Sequence, residues 1–131
     1  MRPLVATVDL AALRHNYQLA KQCAPGRKAF AVVKANAYGH GAPAAVECLR
    51  DLADGFAVAS LEEAEQVRSV DASARILLLE GCFEPSEYFA AAELGLDVAV
   101  QGEAQLDALL AAVIERPLNL WLKLDSGMHR L

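Results

Sequence analysis

The stretch Ala29-Phe-Ala-Val-Val-Lys34 is a short, nearly continuous apolar run, and it decides the fold because its kind recurs. Similar runs stand at Phe56–Ala59 (FAVA), Ile76–Leu79 (ILLL), Val98–Val100 (VAV) and Leu118–Leu124 (LNLWLKL). Strands covered on both faces of a parallel sheet require such unbroken apolar character. The runs begin roughly 20 to 27 residues apart, the length of a strand–loop–helix–loop unit. An amphipathic stretch fills each interval.

The intervals carry helix punctuation. Asp9 is placed to cap a helix whose apolar face includes Leu10, Leu13 and Tyr17. Pro43–Arg50 reads as a helix that opens on proline. Ser60-Leu-Glu-Glu63 reads as a capping box, with Ser60 and Glu63 satisfying each other's free amides. A helix from about Ser86 stops at Gly95, and one lined by Leu106, Leu109, Leu110 and Val113 must end before Pro117. Met1–Asp9 reads as a leading strand.

Repeated β-then-α units allow an open doubly wound sheet or a (β/α)₈ barrel. No GxGxxG follows the first run, which weighs against a dinucleotide fold. A complete barrel takes about 250 residues and eight strands. With five strands in 131 residues, this chain would be an incomplete barrel, and its last strand would carry an apolar open edge. No linker or internal boundary divides it.

Composition narrows the function classes. The hydrophobic share of 55% points to a substantial core, and the net charge of −5 leaves no cationic surplus for nucleic acid. No apolar run approaches the length that spans a membrane, and the N-terminus lacks the apolar part of a signal peptide. Cys23, Cys48 and Cys82 form no CxxC or Cys/His cluster, so buried reduced thiols in a cytoplasmic protein are expected, with no metal site.

Two segments could carry chemistry. In Val32-Val-Lys-Ala-Asn-Ala-Tyr-Gly-His-Gly41, Lys34 closes a strand, which puts its amine at the C-terminal end where barrel active sites gather. An apolar setting favours the neutral amine, the form that makes a Schiff base. Tyr38 follows four residues later, and Gly39 and Gly41 suit a tight turn. Taken alone, a strand-end lysine is more often a solvated charge, and His40 has no partner that would make it a ligand or base. In Trp121-Leu-Lys-Leu-Asp-Ser-Gly-Met-His-Arg130, the leucines at 118, 120, 122 and 124 alternate with Asn119, Trp121 and Lys123. In a barrel the leucine face meets the helices and Lys123 turns inward, where it needs an anionic partner or must lose its charge. Arg130 could offer a two-pronged fork to a carboxylate or a cofactor oxygen. An edge strand with Lys123 in water and an ordinary exposed arginine is an equal alternative on these residues alone.

Together AVVKANAYGHG and LKLDSGMHRL resemble the alanine racemase family, as do DGFAVASLEEAEQVR and ILLLEGCFE between them, in one order along nearly the whole chain. The resemblance implies the N-terminal part of a pyridoxal-phosphate-dependent (β/α)₈ barrel, with the remaining strands and a C-terminal β domain beyond residue 131. Lys34 would hold the cofactor and act as one of two opposed acid–base groups that exchange the α-proton of alanine. Tyr38 would bind the cofactor phosphate. Arg130 would approach the cofactor's phenolic oxygen and the substrate carboxylate, and Lys123 matches a position carbamylated in many members. The opposite base, a tyrosine, would come from the second subunit of a homodimer, and Met1–Asp9 would pack on the β domain. The expected product, D-alanine, serves peptidoglycan or alanine catabolism. The alternatives are a serine or broader amino-acid racemase, or a non-catalytic pyridoxal phosphate-binding module. Were these 131 residues the whole polypeptide, little or no racemase activity would be expected.

Overall fold

In a computed structural model of the chain, which describes residues 3–130, the apolar runs form one parallel sheet of five strands in the order β1-β2-β3-β4-β5. The strands are β1 (Phe30–Val32), β2 (Gly55–Val58), β3 (Ile76–Leu78), β4 (Asp97–Val100) and β5 (Asn119–Leu122). The helices are α1 (Leu10–Cys23), α3 (Ala42–Leu49), α4 (Leu61–Val70), α5 (Glu87–Glu93) and α6 (Glu103–Ala111). A left-handed turn, α2 (Lys34–Tyr38), lies between β1 and α3. Among the described residues no helix is long and apolar enough to cross a membrane.

The strand order never reverses, whereas a doubly wound sheet reverses at its switch point. Register separates two faces. Phe56, Ile76, Leu78 and Val98 are buried in one cluster with Val46, Val67 and Ala91 of the helices. The opposite parity carries Phe30, Arg75, Asp97 and Trp121, which gather on the other face. There the Phe30 and Trp121 rings meet edge to face at 5.7 Å. Flat, β1 and β5 would lie four strand spacings apart, about 19 Å. The sheet is therefore curled as part of a barrel wall, and its concave side is the barrel interior. Among the described residues the sheet does not close on itself.

A polar cluster fills the interior near the N-terminal ends of the strands. Asp97 is 1% exposed, and its carboxylate accepts from Arg75 Nε at 2.8 Å, Trp121 Nε1 at 2.8 Å and Asn119 Nδ2 at 3.1 Å. The Arg75 guanidinium also lies over the Phe30 and Trp121 rings. A buried carboxylate is tolerated only when paired and hydrogen-bonded, and here three donors meet it. Gly55 beneath is required by space, because a Cβ would stand 2.6 Å from the Phe30 ring.

Several expectations are corrected. Residues 3–9 form no strand, and Met1 and Arg2 lie outside the described residues. The aspartate cap is present, with Asp9 accepting from Ala11 and Ala12 at 2.9 and 3.0 Å. The capping box is not: Ser60 makes no side-chain cap bond, and the Glu63 carboxylate accepts from Ala35 and Ala59 instead of the Ser60 amide. In α6 only Leu109 is buried, while Leu106 and Leu110 face out and Val113 lies beyond the helix. Of the cysteines only Cys82 is buried; Cys23 is exposed. Burial pushes the Cys82 thiol up to about 12, so it stays protonated and unreactive.

Candidate functional site

The C-terminal ends of β1 and β5 carry the candidate residues. At β1 the Val33 N–H still donates to the Ala57 carbonyl at 2.9 Å. The backbone then changes hand. Ala35, Asn36, Ala37 and Tyr38 have φ of 50°, 54°, 53° and 54°. Each such L-residue costs about 1–2 kcal/mol against the right-handed form. Strand β1 thus ends earlier than the sequence pattern predicts, and the turn begins at Lys34 itself rather than at Gly39.

The turn repays part of its strain with hydrogen bonds of its own. Ala37 N–H donates to the Val33 carbonyl at 2.8 Å and Gly39 N–H to the Ala35 carbonyl at 3.0 Å. Asn36 Oδ1 accepts the Ala42 amide at 2.7 Å, so it caps α3, whose N-cap Gly41 has no side chain to do so. Glu63, at the start of α4, accepts the Ala35 amide through one oxygen at 2.7 Å and the Ala59 amide through the other at 2.8 Å. Backbone strain of this kind persists only where the surroundings over-determine it, and it concentrates at functional sites. Lys34 is half-buried and forms no ion pair among the described residues. Tyr38 is 61% exposed, one left-handed turn away.

At β5 the alternation read from the sequence holds. Trp121 bonds Asp97 on the interior side, and Lys123, two residues on, takes the same side. Lys123 finds the anionic partner an interior lysine needs. Its Nζ donates to the Leu79 carbonyl at 3.1 Å and lies 3.4 Å from Glu80 Oε2. Beyond it, Asp125 organises the loop by accepting the Gly127 and His129 amides at 2.9 and 3.0 Å. Those two backbone bonds hold its carboxyl below the usual range. The loop brings Arg130 to a cavity of about 300 Å³ that Glu80, Lys123, Asp125 and Ser126 also line.

The structure therefore pairs Lys123 with Arg130 in one cavity, and Lys34 with Tyr38 in one turn. It does not join the pairs: Tyr38 lines a different cavity, of about 380 Å³, with Val32, Val33 and His40. Three cationic side chains and a phenol at one end of the sheet suit an anionic ligand. Sequence reasoning missed Glu63, Asn36 and Glu80 as parts of this region. Glu63 did carry a signal, its place three residues after Ser60, but the partner inferred was the local one.

Residues 8–131 match the family model described as alanine racemase, N-terminal domain. The chain is 79% identical over 131 residues to alanine racemase of Stutzerimonas stutzeri (strain A1501), covering all of this chain and 37% of that protein. The crystal structure of biosynthetic alanine racemase from Pseudomonas aeruginosa superposes with a TM-score of 0.96 at 71% identity, covering 99% of this chain and 36% of that one. Alanine racemase from Bartonella henselae, solved with covalently bound pyridoxal phosphate, matches with a TM-score of 0.73 at 33% identity, over 79% of this chain and 30% of that one. The chain thus spans about a third of the length of these relatives. With its curled parallel sheet and its lysine turn, the chain belongs to the alanine racemase N-terminal domain family.

Proposed function

We propose that this chain is the N-terminal part of a pyridoxal-phosphate-dependent alanine racemase, which interconverts L-alanine and D-alanine. The observation that carries the reading is Lys34: a half-buried amine without an ion-pair partner among the described residues, at the C-terminal end of β1, on a strained and hydrogen-bonded turn.

The residues present fit the cofactor's chemistry. The free amine of Lys34 suits the aldehyde, the Tyr38 hydroxyl is available to a phosphate, and the Arg130 fork suits a phenolic oxygen or a carboxylate. Pyridoxal phosphate, when bound, supplies the electron sink that makes an amino acid's α-proton acidic. Lys34 holds the cofactor and then carries a proton at Nζ to or from one face of the α-carbon. Arg130 orients the substrate carboxylate by a bidentate bond. Lys123 supports that arginine from the shared cavity. Because Glu80 already supplies a negative partner, carbamylation of Lys123 would set two anions together and rely on Arg130 to neutralise them. Carbamylation of Lys123 belongs to this proposal, and carbon-13 NMR of the folded full-length protein in labelled bicarbonate should show its carbamate carbon, absent in Lys123→Ala.

The remaining barrel strands, a C-terminal β domain and the tyrosine base of a partner subunit complete the site in this reading, and the product D-alanine feeds peptidoglycan or is interchanged in alanine catabolism within the cytoplasm. The test is absorbance of the purified full-length protein with pyridoxal phosphate. A band near the visible edge that disappears in Lys34→Ala is expected, together with D-alanine formed from L-alanine. A folded full-length protein without that band overturns the reading.

A further inference from the structure

We infer that Glu63 is a positioning residue for Lys34: by bridging the amides of Ala35 and Ala59, its carboxylate fixes the direction in which the lysine side chain leaves the backbone. The inference rests on the reading of Lys34 as the cofactor lysine.

The Ala35 N–H lies in the peptide plane whose other half is the Lys34 carbonyl. Anchoring that plane sets ψ of Lys34 and so orients its Cα–Cβ bond. The first amides of a helical turn have no partner within the turn, whichever its hand. Glu63 supplies one for Ala35 at 2.7 Å and, through its second oxygen, ties the same carboxylate to Ala59 at the end of β2 at 2.8 Å. The turn is thereby referenced to the neighbouring strand. Two oxygens are needed, each facing an N–H, which a carboxylate provides and a carboxamide does not. Glu63 thereby leaves Ser60: its own helix loses a cap, while the strained turn that holds Lys34 gains one charge-assisted bond and the end of β2 gains the other.

The experiment compares Glu63→Ala, Glu63→Gln and a control, Glu65→Gln, in the full-length protein. Glu65 is exposed on the same helix and outside the site. Amide hydrogen exchange without cofactor is the first readout. Exchange over residues 35–41 is expected to quicken at least about tenfold in Glu63→Ala, less in Glu63→Gln, and not at all in the control, with the strands unchanged. The second readout pairs absorbance of bound pyridoxal phosphate with steady-state kinetics. Glu63→Ala is expected to bind the cofactor about tenfold more weakly and to lose roughly 10²-fold in kcat, with KM within about threefold, as misplacement of a reacting group implies. Glu63→Gln should recover part of both. If Glu63→Ala does not fold, Glu63→Gln carries the comparison, since it keeps the side chain's volume and one acceptor. Unchanged exchange at residues 35–41 overturns the inference, and so does faster exchange with unaltered cofactor binding and kcat. Were Lys34→Ala to retain the absorbance, the reading of Lys34 would fall, while the exchange data would still decide whether Glu63 holds the turn.

Discussion

Strands β4 and β5 are neighbours in register, paired from Asp97 with Asn119 to Val100 with Leu122, yet every residue of β4 is buried and every residue of β5 is exposed. Their apolar content is alike. Hydrogen bonding to a neighbour therefore does not bury a strand; cover on both faces does. The interior side of β5 is already engaged, since Trp121 bonds Asp97 and touches Phe30. Its other side is not: Leu122 and Leu124 are each 77% exposed. The two halves of the candidate site differ in the same way. Lys34 stands on a turn wired to β2 and α3, whereas Arg130 stands exposed on a loop organised from within by Asp125.

Four measurements would break or sharpen this contrast. The largest effect belongs to the wired half. Lys34→Ala in the full-length protein should lose cofactor absorbance, and racemization should fall by at least the roughly 10²–10⁴-fold that a positioned acid–base group contributes. Residual activity close to wild type would break the comparison at its strongest point. Next, Leu78→Ala in buried β3 should cost about 2–5 kcal/mol in denaturant unfolding, whereas Leu122→Ala in this 131-residue chain should stay within about 0.5 kcal/mol. In the full-length protein the Leu122 cost should rise towards the Leu78 range. Equal costs in the short chain would show that β5 is covered after all.

Third, Asp97→Ala removes a carboxylate shared by three donors at the point where β1, β4 and β5 converge. A loss of about 2–4 kcal/mol is expected, below that of a fully buried ion pair because the Arg75 side chain is 44% exposed. Trp121 fluorescence should shift in the same variant, reporting that β5 has lost its interior anchor. The smallest effect lies on the surface, where Arg14 pairs with Asp51 and holds that carboxyl at about 2. A carboxyl whose folded value lies below its unfolded one stabilises above the unfolded value, near 4, and loses that contribution as pH falls towards 2. Thermal melts of wild type and Asp51→Asn should therefore differ slightly at pH 5, differ less as pH falls towards 2, and differ less at high salt. A gap as wide at pH 2 as at pH 5 would point to packing rather than charge.

The sequence by itself determined the repeated strand–helix unit, the alternation that sets Lys123 on the face opposite the leucines of β5, and the place of Lys34 at a strand end. Each follows from local sterics, since side-chain period and helix punctuation are properties of short segments. It left open whether the sheet was doubly wound or curled. Tertiary structure decided that, because the strand order never reverses and Phe30 of the first strand meets Trp121 of the last. It also decided where three carboxylates go. Glu63 serves Ala35 rather than Ser60, Glu80 meets Lys123, and Asp97 gathers Arg75, Asn119 and Trp121. A carboxylate takes whichever unsatisfied donor the fold brings within reach, and that donor sits 22 to 43 residues away in these pairs. The left-handed turn at Ala35–Tyr38 is the clearest case, because no local preference of alanine or tyrosine favours it, and bonds from Glu63 to Ala35 and from Asn36 to Ala42 add to its own in holding it.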